Sequence, residues 1–183
     1  MKWQMLSAAA LLSGCSASLD EYRNQTPAFD LAGYFDGHVT AWGIVEDYKG
    51  HLTRHFCVEI VGSWQGNQGQ LDETFYYDDG EIDTRLWTLT IEDNGWVTGS
   101  ADDVIGIAGG RASGNAFNWQ YRLEVPVEGD LYEFAVDDWM YRLDKHRLMN
   151  RSYLKKFGVT LAEVSIYFDK SDANQGCPAA DQP

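Results

Sequence analysis

The sequence predicts an all-β protein, a single antiparallel up-and-down β-barrel of about nine strands with a short helix as an option near the C-terminus. Three observations predict it. Apolar and polar residues alternate through most of the chain, turn signals built on glycine recur at short intervals, and no Pro-rich or linker-like stretch divides the alternating region. Side chains two apart share one face of a strand, so such alternation marks a sheet with one buried side.

The alternation is plainest in three places. From 51 to 64 the even positions Leu52, Phe56, Val58 and Ile60 are apolar, and His51, Thr53, His55 and Glu59 lie opposite. From 115 to 125 Phe117, Trp119, Tyr121, Leu123 and Val125 oppose Asn118, Gln120, Arg122 and Glu124. From 160 to 168 Ala162, Val164, Ile166 and Phe168 oppose Glu163, Ser165 and Tyr167. The turn signals are Lys49-Gly50, the stretch 67 to 69, Asp79-Gly80, Asn94-Gly95 and Glu128-Gly129-Asp130. Glycine and Asn tolerate the positive φ that tight hairpins require. Strands are therefore expected at 34–47, 51–64, 71–78, 83–92, 95–101, 103–108, 115–126, 131–143 and 159–169. The segment 145–157 suits a strand end or the short helix. Gly106 to Gly114 lacks both the Gly-Lys-Ser/Thr ending of a phosphate loop and the Gly-x-Ser-x-Gly of a nucleophile elbow, and is expected to be a loop joining strands.

Sequential hairpins with one apolar face must bury it, and a sheet does so by closing on itself, which also removes free edges. A two-sheet sandwich is the alternative. A barrel spanning the outer membrane is disfavoured, because a lipid-facing band needs apolar residues outward and here the second face is charged.

The ends carry a different signal. Met1 and Lys2 precede a mostly apolar run from Trp3 to Leu12. As a helix that run would reach only about 15 Å, half of the roughly 30 Å of a hydrocarbon core, so it has the layout of a secretory signal rather than of a membrane span. Leu12-Ser13-Gly14-Cys15 resembles the lipobox of bacterial lipoproteins, in which the cysteine is acylated after cleavage. The expected organisation is a signal peptide over 1–14, a lipidated tether over 15–30, the barrel over 31–170 and a flexible tail over 171–183. Two or three acyl chains suffice for stable anchoring. Ser16, where an Asp tends to mark inner-membrane retention, makes the periplasmic face of the outer membrane the expected location.

With 14 basic and 28 acidic side chains, the chain carries a formal charge of −14, and cleavage would remove Lys2 as well. Nucleic acid and anionic headgroups are poor partners for it. Three cysteines are present; with Cys15 assigned to lipid, Cys57 and Cys177 remain, either bonded to one another or as two free thiols.

Several short blocks together resemble the bacterial lipoproteins grouped as domain of unknown function 3833: Gly33-Tyr34-Phe35-Asp36-Gly37 with Ala41-Trp42-Gly43, Trp87, Gly99 to Asp103 with Val104 and Gly106, Gly114-Asn115-Ala116, Asp137-Asp138-Trp139-Met140 and Asn150-Arg151. The resemblance covers about residues 27 to 170 and implies a calycin/lipocalin-like barrel, with no established activity or site to carry over.

Candidate site residues follow from position. In Asp137-Asp138 adjacent residues face opposite sides, so one carboxylate points inward and needs a partner, for which Arg122, Arg142 and Arg151 are available. That pair is either a structural ion pair or a polar group that reads a ligand. Asp138, Met140 and Arg142 share a face, suiting the polar end of a cavity. The chain has 7 Trp, 10 Tyr and 8 Phe, enough to fill a core or to line a cavity for one small ligand. Trp42, Trp87, Trp119, Tyr121, Asp138, Met140, Arg142, Asn150 and Arg151 are the expected ligand-binding residues. His51 and His55 share a face but lack a third ligand, and Asp78, Asp79, Glu81 and Asp83 flank a hairpin and are expected in water, so no metal or cofactor is expected. No catalytic residue is identified; an enzyme would need an inward-facing pair of titratable groups, for which Asp137 or Asp138 with Arg142 or Asn150 are the first candidates. The expected function is a lipid-anchored periplasmic barrel that binds or carries a fatty-acyl or other lipid-like ligand, with the membrane as its partner through Cys15. The alternative is an accessory envelope lipoprotein with a filled core that docks to another protein.

Overall fold

The computed structural model describes residues 17–127, 129–172 and 174–177. A short helix, α1 (Leu31–Phe35), leads into ten strands: β1 (Gly37–Asp47), β2 (Leu52–Gln65), β3 (Gln68–Tyr77), β4 (Ile82–Ile91), β5 (Trp96–Ser100), β6 (Ala108–Ser113), β7 (Ala116–Val127), β8 (Asp130–Arg142), β9 (Arg147–Lys156) and β10 (Val159–Asp169). Each strand pairs with its neighbours in sequence, and β1 pairs with β10, so the sheet closes into an antiparallel barrel and not a sandwich.

Alternation governs the wall. Val39 and Ala41, then Phe56, Val58 and Ile60, then Leu71, Trp87, Leu89, Phe117, Trp119 and Phe168 form one buried cluster inside. Trp119 packs between Phe117, with ring centroids 5.7 Å apart, and Trp87 at 5.8 Å. Such pairs add about 0.5–1.5 kcal/mol beyond their buried area. Leu52 is exposed, because the first residues of β2 project beyond the apolar interior.

One end of the barrel is plugged. In α1, Leu31, Tyr34 and Phe35 are buried, the spacing of one helical face. The Asp30 carboxylate accepts from the Gly33 N–H at 3.0 Å, capping the N-terminus. Lys170 Nζ donates to the carbonyl oxygens of Tyr34 at 2.7 Å and Asp36 at 3.2 Å, closing the other end of the helix. The Tyr34 hydroxyl donates to the His146 carbonyl at 2.9 Å, and Phe35 meets Phe168 edge-on at 5.8 Å. Gly62 makes this seat possible, since a Cβ there would lie 1.5 Å from the Phe35 carbonyl oxygen.

Several expectations are corrected. The helix lies before the first strand, over the start of the expected strand 34–47, and of the two alternatives for 145–157 the strand is the one formed, as β9. The expected strand 103–108 is a loop with a single bridge, Val104 to Leu123, whereas 108–113, expected as a loop, is strand β6. Glycine there suggests a loop, but Gly110 sits flat against the Asn118 backbone, a close approach that a Cβ would block at 2.1 Å.

The segment expected as a free tether packs on the barrel from Leu19 onward. Leu19–Tyr22 form a 3₁₀ turn, Tyr22 lies against Trp139 and Tyr141, and Phe29 stacks on Phe117 at 5.2 Å. The tail is likewise held, as Cys177 is disulfide-bonded to Cys57, its N–H donates to Glu59 at 2.8 Å, and Thr40 donates to the Gln175 carbonyl. Cys57 faces outward on β2, as alternation requires, and is buried beneath this strap. The expected signal peptide over 1–14 and Cys15 lie outside the described residues. Among those described, no helix is long and apolar enough to cross a membrane.

Candidate ligand cavity

The barrel is hollow above its plug. A cavity of about 470 Å³ runs from Leu31 and Phe35 to residues at the far rim such as Glu81, Glu124 and Pro126, a size within the roughly 300–1,000 Å³ of small-ligand sites. The Glu81 side chain is also exposed, so the cavity opens to solvent at that rim. Its upper wall is apolar: Val45 of β1, Phe56 of β2, Phe75 and Tyr77 of β3, Leu123 and Val125 of β7, Leu154 of β9 and Val164 of β10. Gly43, facing inward between Ala41 and Val45, leaves room for the Phe56 ring, which a Cβ would meet at 2.2 Å.

At mid-depth the wall changes character. Glu73 of β3 stands directly opposite Arg85 of β4, with a nitrogen-to-oxygen distance of 3.9 Å. Arg85 grips Asp103 from the 101–107 loop, its Nε donating to the two carboxylate oxygens at 2.9 and 3.1 Å. Strands β5 and β6 are the shortest of the barrel, and this bidentate pair ties the loop beyond them to β4 where the wall would otherwise gape. Across the interior, Asp138 of β8 accepts from the Asn150 amide of β9, and the Ser152 hydroxyl donates to Asn150 at 3.1 Å. Tyr121 of β7 lies close enough to feel the charges of Asp138, Arg85, Glu73 and Asp103.

Burial sets the protonation of this belt. Glu73 is pushed up to about 7, because loss of water outweighs the pull of Arg85. Asp138 is also pushed up to about 7 by burial, against the lowering influence of the neighbouring Asn150 and Ser152. Burial alone would lower Arg85, but Glu73, Tyr121 and Asp103 more than reverse it, so it stays a cation. Burial likewise raises the Tyr121 phenol, which remains a neutral donor. Near pH 7 the belt can therefore bind or release protons as its surroundings change.

Of the expected residues, Trp87, Trp119, Tyr121, Asp138, Met140 and Asn150 line the cavity. Three do not. Trp42 points outward and stacks on Tyr167 with centroids 6.3 Å apart, since the inward register of β1 belongs to Val39, Ala41 and Val45. Arg151 also faces outward and pairs with Glu163 at 3.4 Å. Arg142 shares the face of Asp138 and Met140 but sits at the plugged end, donating to the carbonyl oxygens of Ala28 at 2.9 Å and Asp144 at 3.2 Å. Nor does Arg122 meet the inward aspartate, as it pairs with Glu133 on the outer surface. Asp137 is the outward member, held by Lys155 and Asn118, each at 2.9 Å.

His51 and His55 pair with Asp47 and Asp78. Asp79 and Glu81 pair with Arg54, whose guanidinium lies 3.5 Å over the Tyr77 ring. Among the described residues no group of three or more candidate ligands could hold a metal. Sequence reasoning missed Glu73, Arg85 and Asp103. The first two carry a usable signal, because Glu73 interrupts the apolar register of Leu71 and Phe75, and Arg85 shares the inward register of Trp87 and Leu89.

Fold and site together define a class: a closed antiparallel β-barrel, plugged at one end, with an open apolar interior crossed by a polar belt. The chain belongs to the family described as "Protein of unknown function (DUF3833)", which matches residues 9–170. A search of curated proteins finds no match.

Proposed function

We propose that this protein is a lipid-anchored periplasmic carrier or binder whose barrel takes a single alkyl or fatty-acyl chain. The observation that carries the proposal is the cavity of about 470 Å³, open at one rim and walled there by Phe56, Phe75, Leu123, Leu154 and Val164. Burying an alkyl chain in it releases about 0.8 kcal/mol per CH₂. The alternative, a filled core that docks to another protein, has no such void to account for. Residues Leu12 to Cys15 support acylation at Cys15, which would hold the carrier at a membrane, and the Ser at position 16 favours the outer one.

Native mass spectrometry of the protein isolated from its own envelope tests the binding. The expected spectrum carries one alkyl-chain adduct per barrel, lost on collisional activation. A spectrum of bare protein, from material that also fails to take up a long-chain alcohol, would refute it. Anchoring is tested apart, by metabolic labelling with a fatty acid, expected to be lost in Cys15→Ser.

A further inference from the structure

We infer that the polar belt selects the ligand's head group, favouring an alkyl chain that ends in an ammonium or other cationic hydrogen-bond donor over one that ends in a carboxylate. This rests on the alkyl-binding proposal and adds the chemistry of the polar end.

Charge complementarity carries it. Among the described residues six acidic residues border the cavity and its mouth, against two arginines. Both guanidiniums are already ion-paired, Arg54 through one terminal nitrogen with its Nε left without a partner. Arg54 is held at the rim by Asp79 and Glu81, and Arg85 is gripped by Asp103 with Glu73 on its other side. A carboxylate entering the belt would meet Glu73 and Asp138 with no free cation. Its alternatives are to displace Asp103, which would open the wall, or to take up a proton.

An ammonium meets the opposite situation. Glu73 makes no hydrogen bond among the described residues and has only the long contact to Arg85. Asp138 accepts from Asn150 and retains further lone pairs. The groups facing these two are Arg85, Asp103, Tyr121, Asn150 and Ser152, so the belt has acceptors to spare and one committed cation. Carboxyls that burial keeps partly protonated ionise when a cation arrives, so binding releases protons and tightens as pH rises through 7.

The experiment is displacement of a neutral fluorescent probe, Nile red, by dodecylammonium, dodecanol and dodecanoate, each below its micellar concentration. At pH 7.5 dodecylammonium is expected to bind at least about tenfold tighter than dodecanoate, with dodecanol between them. In Glu73→Gln/Asp138→Asn the preference is expected to shrink to within about threefold, which separates the belt from the general negative charge of the surface. Calorimetry of the unaltered protein in two buffers of different ionisation enthalpy adds a readout free of any folding defect, and proton release with dodecylammonium is expected. Dodecanol that displaces while dodecanoate equals or exceeds dodecylammonium overturns the head-group inference and leaves the alkyl site standing. Failure of all three to displace overturns both.

Discussion

Glu73→Gln gives the sharpest test of the belt, because it replaces a buried acid by a neutral group of the same shape. In the folded protein Glu73 is pushed from 4.5 to about 7 by burial, whereas the unfolded chain exposes it to water. Between these values the folded state binds the proton and the unfolded state does not. Stability contributed by the protonated acid is therefore full below about pH 4.5, falls as pH rises, and is lost above about pH 7. At 1.36 kcal/mol per unit the full swing is about 3 kcal/mol. Gln cannot ionise, so Glu73→Gln should lack this part of the slope. Urea unfolding at pH 5, 6, 7 and 8 and constant ionic strength measures it. Relative to the unaltered protein, the variant should gain about 2.5 kcal/mol between pH 5 and pH 8, the part of the swing that lies in this window. A difference that stays constant with pH, or that favours Glu73 as pH rises, would refute the account of the belt. Asp138→Asn should act in the same direction, and the double variant should fall short of the sum, because the two acids act on each other.

Other outcomes are expected from the frame. Reducing the Cys57–Cys177 bond, which closes a separation of 120 residues, should lower stability by about 2–5 kcal/mol, read as a shift of the urea midpoint with and without reductant. Phe157 adopts φ +52 at a hairpin tip while 96% exposed, so Phe157→Asn should raise stability by up to about 1 kcal/mol in thermal unfolding. Gly62→Ala drives a Cβ into the Phe35 carbonyl; it should unseat α1, cost about 2 kcal/mol or more, and reduce the near-ultraviolet dichroism of the aromatic plug.

Much of the barrel is legible in the sequence, because a period of two survives wherever one face is apolar. The stripe Phe117, Trp119, Tyr121, Leu123 and Val125 lines the cavity wall, as its alternation implies. Legibility fails where another force sets the conformation. Leu31, Tyr34 and Phe35 form one helical turn because Asp30 caps it and Lys170, far along the chain, closes it. Segment 18–30 looks polar and patternless, yet Tyr22 and Phe29 find aromatic partners on β7 and β8 that only closure of the sheet brings near.

The site was half visible for a similar reason. Asp138 announces itself as an acid on an apolar strand, but its partner is Asn150 across a strand pair and not an arginine. Trp42 and Arg151 have the residue types of a ligand site but not its register. Both lie one position off the inward stripe, and a one-residue offset reverses the face. Asp103 had no periodic context at all, since its loop takes its place from the gap left by the short β5 and β6.

The central claim is that the interior is a binding site, and a blocking substitution tests it most directly. Val164 of β10 faces the cavity, and Val164→Trp would place an indole in the path of an alkyl chain. Titration of Nile red against the folded domain should give one site per chain, lost in Val164→Trp while the far-ultraviolet dichroism of the barrel is unchanged. Equal binding by both proteins, or none by either, would contradict the claim.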